Sequence, residues 1–159
     1  MKLSLSRLRA SDAPWVDDSL ESVMQTIAKE LHAGDAVIEM IIVDDPFIRN
    51  INREYRGKDR ATNVITFSYL STPDETDIVE PPDADTSAGE IYISYETLER
   101  EANEKGVEPG SLFLRLGVHG LLHVVGHVHD NDDEAQRMER EERRILQDHL
   151  TPREIEALI

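Results

Sequence analysis

The chain has 159 residues, 39% of them hydrophobic, and its 33 acidic and 17 basic side chains give a formal net charge of −16. The length predicts one domain over residues 1–159 with a core of its own, and the charge argues against broad nonspecific affinity for nucleic acid, because phosphates would be repelled. Cysteine is absent, which excludes disulfides and leaves histidines and carboxylates as the available metal ligands.

The first half of the chain predicts strands and helices in alternation. Alternating leucines at residues 3–5 predict a first strand, and an apolar stripe over residues 15–31 predicts an amphipathic helix. The β-branched run at residues 36–43 predicts a central strand covered on both faces. An Asp-Pro pair then starts a second helix over residues 45–55.

Two further strands are predicted at residues 62–68 and 89–94, and the long connection between them permits an antiparallel or a displaced pairing. Residues 69–88 hold three prolines and six acidic side chains without a lysine or arginine. This composition is typical of a solvated, flexible loop, either a flap over a site or a simple insertion.

Helices dominate the remainder. Ser94 can cap a helix that ends near Gly106, and residues 112–125 are apolar almost all round, which predicts a buried central helix. A charged helix begins at Asp132 or Asp133, and residues 151–154 form a capping box that opens a short last helix; both are predicted to be scaffold. No stretch is long enough for a membrane span and the N-terminus lacks a signal-peptide core, so a cytoplasmic protein is expected.

Residues 119–129, HGLLHVVGHVH, hold four of the six histidines of the chain. His119 and His123 are four apart and lie on one face of a helix, and Gly126 can end that helix and turn His129 back toward them. Three nitrogen ligands with one open position are typical of a catalytic zinc. The alternative is a set of core histidines, but each would need partners for both ring nitrogens. His127 remains ambiguous between a support for the site, a substrate contact and an exposed side chain.

The spacing also resembles that of zinc peptidases, with one difference. Those enzymes carry a glutamate as general base directly after the first histidine, where this chain has Gly120. Peptide hydrolysis by that mechanism is therefore disfavoured, unless another carboxylate such as Asp130 takes the role.

Basic side chains are concentrated in one segment. Residues 49–60 include five of them against two acidic ones, namely Arg49, Arg53, Arg56, Lys58 and Arg60. In so acidic a chain, this segment is the best candidate for a local contact with phosphate.

Three segments together resemble the YbeY family of bacterial metal-dependent endoribonucleases. Residues 119–129 resemble its H-G-x-L-H-x-x-G-Y-D-H signature, residues 52–68, NREYRGKDRATNVITFS, are similar to its N-x-x-Y-R-x-K-D-x-P-T-D/N-V-L-S-F block, and residues 89–94, GEIYIS, to its G-D/E-I-x-I-S strand. The chain departs from the family at His127 and Val128, which replace Tyr-Asp, and at Ala61, which replaces proline. The loss of that aspartate points to Asp130 as the neighbour that could support a ligand instead.

The resemblance implies an α/β (α+β) domain with a small mixed four-stranded sheet flanked by helices. It also implies zinc, or another divalent metal, held by His119, His123 and His129, with the functional arginine of the family at Arg56. The implied role is maturation of the 3′ end of small-subunit (16S) ribosomal RNA and ribosome quality control. The partners would be RNA, the ribosome and ribosomal proteins or assembly factors.

Such an activity agrees with the chemistry of these residues. Zinc with an open position activates water and polarises a phosphate oxygen, and an arginine can hold phosphate with two parallel hydrogen bonds. Arg53 and Lys58 could position the RNA strand, while Tyr55 either stacks on a base or packs on the protein. Two alternatives remain open, a metallohydrolase of another substrate such as a peptide, and a ribosome-associated metal-binding factor that does not cut.

Overall fold

The computed structural model describes residues 1–8, 13–32, 34–70 and 87–159. Four strands and six helices lie in these ranges: β1 Lys2–Arg7, α1 Asp18–Leu31, β2 Val37–Val43, α2 Asp45–Arg56, β3 Val64–Ser68, β4 Ser87–Ser94, α3 Tyr95–Lys105, α4 Pro109–Val124, α5 Asp132–Leu146 and α6 Pro152–Leu158. The flexible loop predicted at residues 69–88 falls mainly on residues 71–86, which lie outside the described residues.

The strands form one mixed sheet in the order β1-β2-β4-β3. β1 pairs with β2 and β2 with β4 in parallel, whereas β3 pairs with β4 in the antiparallel direction, with Ile65 opposite Tyr92. The predicted mixed four-stranded sheet is therefore confirmed, and the antiparallel option is the one adopted by the last two strands.

The core lies between one face of the sheet and the helices α1 and α4. α4 is buried on nearly every side, as predicted, because it contacts the sheet as well as α1, α3 and α5. Each large aliphatic side chain buried there contributes roughly 1.5–3 kcal/mol. The helix is thus a rigid support for the histidines at its C-terminal end.

One detail of the prediction is wrong. Trp15 lies in a turn ahead of α1, because the side chain of Asp17 caps the helix through the N–H of Leu20; the Trp15 indole donates to Glu99 instead.

The prediction that β2 is covered on both faces holds for only part of the strand. On the face away from the main core, Glu39 is exposed, whereas Val43 is buried and Ile41 packs in a second apolar cluster with α2. The described part of the chain contains no helix with the length and apolar character needed to cross a membrane.

The position of α2 is determined by contacts at both ends. At its start, the Asp45 carboxylate accepts hydrogen bonds from Ser94, Thr97 and Arg100 at 2.6–2.8 Å, which link α2 to β4 and α3. Burial alone would raise the pKa of Asp45, but these three donors lower it below its usual value. At its end, Gly57 takes the left-handed conformation with φ of 69° and terminates the helix after Arg56.

Candidate metal centre

Three histidine rings meet at the C-terminal end of α4. His119 and His123 lie one helical turn apart with their Nε2 atoms 3.1 Å from each other. The ring centre of His129 is 5.8 Å from that of His119 and 4.9 Å from that of His123. One nitrogen from each ring lies within 4.8 Å of the others, so the three side chains could hold a single metal ion.

The return of the chain toward α4 depends on Gly126. This residue has φ of 103°, in the region that side chains with a Cβ rarely adopt, and its N–H donates to the carbonyl of His123. The next N–H, of His127, donates to the carbonyl of Leu122 at 2.9 Å. These bonds close the helix end and direct the following residues back over it, so the predicted glycine turn is confirmed.

The hydrogen bonds made by Nδ1 of His119 and His123 determine whether the Nε2 atom of each ring is free to bind a metal ion. His123 Nδ1 lies 2.9 Å from the backbone carbonyl of His127, and His119 Nδ1 lies 2.5 Å from a carboxylate oxygen of Glu142. A backbone carbonyl only accepts hydrogen bonds, so His123 Nδ1 carries the proton, and the Glu142 carboxylate is placed to accept from His119 Nδ1 in the same way. In rings with this tautomer each Nε2 has a free lone pair, and the two lone pairs face each other.

Two such lone pairs 3.1 Å apart repel each other unless a proton or a metal ion lies between them. Zinc–nitrogen bonds of about 2.0–2.1 Å in a tetrahedral site separate neighbouring ligands by roughly 3.3 Å, close to the observed spacing. Burial, reinforced by the neighbouring His119, lowers the pKa of His123 to about 4, so its ring is neutral at physiological pH, as a ligand must be. The donor set therefore fits a zinc-like divalent ion.

A carboxylate supports the site from an unexpected place. Asp130 is exposed, and its backbone N–H donates to Glu134, whereas Glu142 contacts His119 directly. The interpretation of α5 as scaffold is therefore wrong. The sequence contained one sign of this, because Glu142 falls on the buried side of α5 between Met138 and Ile145.

A cleft of about 710 Å³ opens beside the three rings. β3 and the residues leading into it form one wall, the histidines and the 126–128 turn form the other, and Arg56 at the end of α2 also lines the cleft. The Arg56 side chain is exposed and has no ion pair within the described ranges. The structure thus brings Arg56 and the histidines to the same cavity.

The other basic side chains of the segment lie elsewhere. Arg53 lines a neighbouring cleft of about 770 Å³ with Arg49 and Arg60, and it donates a hydrogen bond to Asn50. Lys58 is exposed and lines neither cleft. Of the predicted RNA contacts, only Arg56 therefore lies beside the histidines.

Tyr55 packs on the protein, which is one of the two roles considered for it. Its ring and that of Phe67 form an edge-to-face pair with centroids 5.3 Å apart. The side chain nevertheless remains 69% exposed, so stacking on a base stays a prediction.

Gly120, the residue that replaces the peptidase glutamate, has no room for a side chain. A Cβ there would lie 2.9 Å from Ile91 Cδ1 and 3.0 Å from Thr66 Oγ1, because α4 packs closely on β3 and β4 at this point. The glutamate of a zinc peptidase is thus excluded by packing as well as by sequence.

Substitution of Gly120 with alanine is expected to destabilise the protein. Overpacking costs about 1–3 kcal/mol, which exceeds or cancels the gain in helix propensity of about 1 kcal/mol. Urea denaturation would measure the change in the free energy of unfolding. Gly110→Ala in the same helix is the matched control, because its Cβ would meet only Leu20 Cδ2 at 3.9 Å; a loss of stability no larger than that of the control would contradict this reading.

Comparison with known proteins identifies the family. Residues 8–149 match the family model described as endoribonuclease YbeY. A protein of that name from Paraburkholderia phymatum is 35% identical over 148 residues, which cover 91% of this chain and 90% of the relative. A second, from Rhodopseudomonas palustris, is 39% identical over 119 residues, covering 75% of this chain but only 60% of the relative, so the match spans about three fifths of that protein.

A solved structure supports the fold. The solution structure of TM1509 from Thermotoga maritima aligns over 91% of both chains with a TM-score of 0.58 at 23% sequence identity, a likeness that concerns the fold alone. The family model extends over most of the chain, including the histidine-bearing helix and the segment that contains Arg56. This chain belongs to the YbeY endoribonuclease family.

Proposed function

We propose that this protein is a zinc-dependent endoribonuclease that cuts single-stranded RNA by hydrolysis of a phosphodiester bond. The observation that carries the proposal is the meeting of His119, His123, His129 and Arg56 at one open cleft. A metal ion and a phosphate-binding arginine are two components that promote such a reaction. Relatives that match most of this chain carry the name endoribonuclease, which supports the same reaction class.

The proposed division of labour follows from the contacts. The three histidines would hold the metal, which when bound supplies an activated water and a Lewis acid for the phosphate. Glu142 and the carbonyl of His127 contact the outer (Nδ1) nitrogens of two of the rings. Arg56 would donate paired hydrogen bonds to the phosphate and stabilise the charge that develops on it.

The cleft is compatible with a single strand. It is open along β3, where Thr62 and Thr66 offer polar side chains. Tyr55 does not line this cleft, but its exposed ring directly precedes Arg56 and could stack on a base of a strand that continues past the arginine. The linings of the two clefts include the consecutive residues Ala61 and Thr62, so Arg53 could contact the strand farther from the cut. Lys58, exposed on the turn between α2 and β3, would act in the same way.

The biological substrate that we propose is the 3′ region of small-subunit (16S) ribosomal RNA, cut during ribosome maturation and quality control in the cytoplasm. The chain has a net charge of −16, so its general electrostatic field opposes RNA. Recognition would then depend on the local basic segment and on ribosomal proteins or assembly factors that present the RNA.

The test is an assay on labelled single-stranded RNA that carries the 3′ end of small-subunit ribosomal RNA. We expect cutting that stops in excess chelator and returns with zinc, and slower cutting of the same sequence in a duplex. RNA binding without cutting under all metal conditions would favour the non-cleaving factor. Hydrolysis of a peptide with no effect on RNA would favour the metallohydrolase alternative.

A further inference from the structure

The carboxylate of Glu142 is enclosed between the metal centre and a single arginine. The side chain is 3% exposed; its Oε1 lies 2.5 Å from His119 Nδ1 and its Oε2 lies 3.6 Å from Arg115 Nη2. It reaches the site from α5, 23 residues after His119. A buried carboxylate lowers stability unless its partners compensate for the lost hydration.

The ion pair with Arg115 does not by itself explain why the Glu142 carboxylate is buried. The Arg115 contact is long, and the Nε atom of Arg115 is buried without a hydrogen-bond partner among the described residues. A pair that served only stability would be expected to use the two parallel hydrogen bonds that arginine offers. The shorter and better-directed contact of Glu142 is the one to the histidine.

The residues around Glu142 also indicate that the buried carboxylate does not serve stability alone. Met138, Ile145 and Leu146 share the buried side of α5 with it, whereas most of the charged side chains of this helix are partly or fully exposed. An apolar residue at position 142 would continue the buried stripe at no electrostatic cost. The negative charge at position 142 therefore indicates that Glu142 has a role other than packing.

We propose that Glu142 is a positioning residue for the metal centre. Its carboxylate accepts the Nδ1–H of His119, which keeps Nε2 unprotonated, fixes the plane of the ring and makes Nε2 a stronger donor to the metal. Arg115 places a positive charge on the far side of the carboxylate. The inference rests on the proposed metal site, but it does not depend on RNA cleavage.

The two helical histidines then differ in strength as ligands. His119 is supported by a carboxylate, whereas His123 is supported by the neutral carbonyl of His127. A charged acceptor polarises the imidazole more than a neutral one does. Loss of the negative charge at position 142 should therefore weaken metal binding even where the hydrogen bond survives.

The test measures zinc affinity of the purified full chain by competition with a coloured chelator, and the ligand field by absorption of the Co²⁺ form. We expect Glu142→Ala to weaken zinc binding by about 10- to 100-fold. Glu142→Gln keeps the size and a carbonyl acceptor, so we expect a smaller loss; Glu142→Asp should recover part of the affinity. Glu156→Gln is the control, because that side chain lies on α6, is 76% exposed and pairs with Arg143.

Nitrogen NMR of the parent protein provides a readout that does not depend on any variant folding. In the parent protein without metal, the proton of the His119 ring should be on Nδ1. A proton on Nε2, or Glu142→Gln affinity equal to that of the control, would overturn the proposal. If the parent protein binds zinc and cuts no RNA while Glu142→Gln binds it more weakly, the endoribonuclease assignment fails and the positioning role stands.

Discussion

Replacement of His123 with alanine is expected to lower RNA cleavage by roughly a thousandfold, which corresponds to about 4 kcal/mol of lost transition-state stabilisation. The physical reason is that His123 lies between the other two rings, 3.1 Å from His119 Nε2, with its own Nδ1 held by a backbone carbonyl. Removal of this ring leaves two ligands that cannot enclose an ion. Cleavage rates on single-stranded RNA and the zinc content of the purified protein should fall together.

The matched control is His149→Ala. His149 is exposed after the end of α5 and lies in a small cavity against α1, away from the metal centre. We expect the parental rate and the parental zinc content in this variant. Full zinc content and parental cleavage in His123→Ala would contradict the proposed ligand set, and cleavage that persists in both variants and in chelator would indicate a contaminating nuclease.

Replacement of Arg56 with alanine is expected to lower the rate constant of cleavage by roughly 100- to 1,000-fold while the zinc content stays at the parental level. Arg56 lines the same cleft as the histidines, and among the described residues that line this cleft there is no acidic side chain that could pair with it. It is therefore free to hold a phosphate. Single-turnover kinetics at saturating enzyme would separate the chemical step from RNA binding.

Two further variants sharpen this prediction. Arg56→Lys should recover only part of the rate, because an ammonium group cannot make the paired planar contact of a guanidinium. Arg140→Ala removes the same charge from an exposed position on α5 and should cut like the parent protein. An equal loss in the Arg56 and Arg140 variants would mean that overall charge, and not a contact in the cleft, determines the rate.

The location of Arg56 explains why the contacts of α2 matter for the site. The helix is fixed at its first residue by the hydrogen bonds to Asp45 and is stopped at Gly57 immediately after the arginine. The buried Asn52 also donates to the carbonyl of Arg60, which holds the turn that leads into β3. Arg56, at the end of α2, thus has a rigid support on both sides.

The order of the strands and helices and the histidine cluster are determined by local sequence. The spacing of His119 and His123 places them on one helical face, and Gly126 provides the one backbone conformation that returns the chain toward them. These relations extend over no more than about three turns of helix, so periodicity and turn chemistry are sufficient to predict them. The same holds for the caps and for the buried helix α4.

Only the tertiary structure decided which distant residues meet this cluster. Glu142 reaches His119 because α5 packs against α4, and Arg56 reaches the cleft because the start of α2 is bonded to β4 and α3. Arg53, three residues before Arg56, falls instead into the neighbouring cleft. Contacts of this kind depend on how the elements pack, and local periodicity does not encode that packing. The cluster of three histidines could therefore be predicted from the sequence, whereas its contact with Glu142 and the composition of the cleft could not.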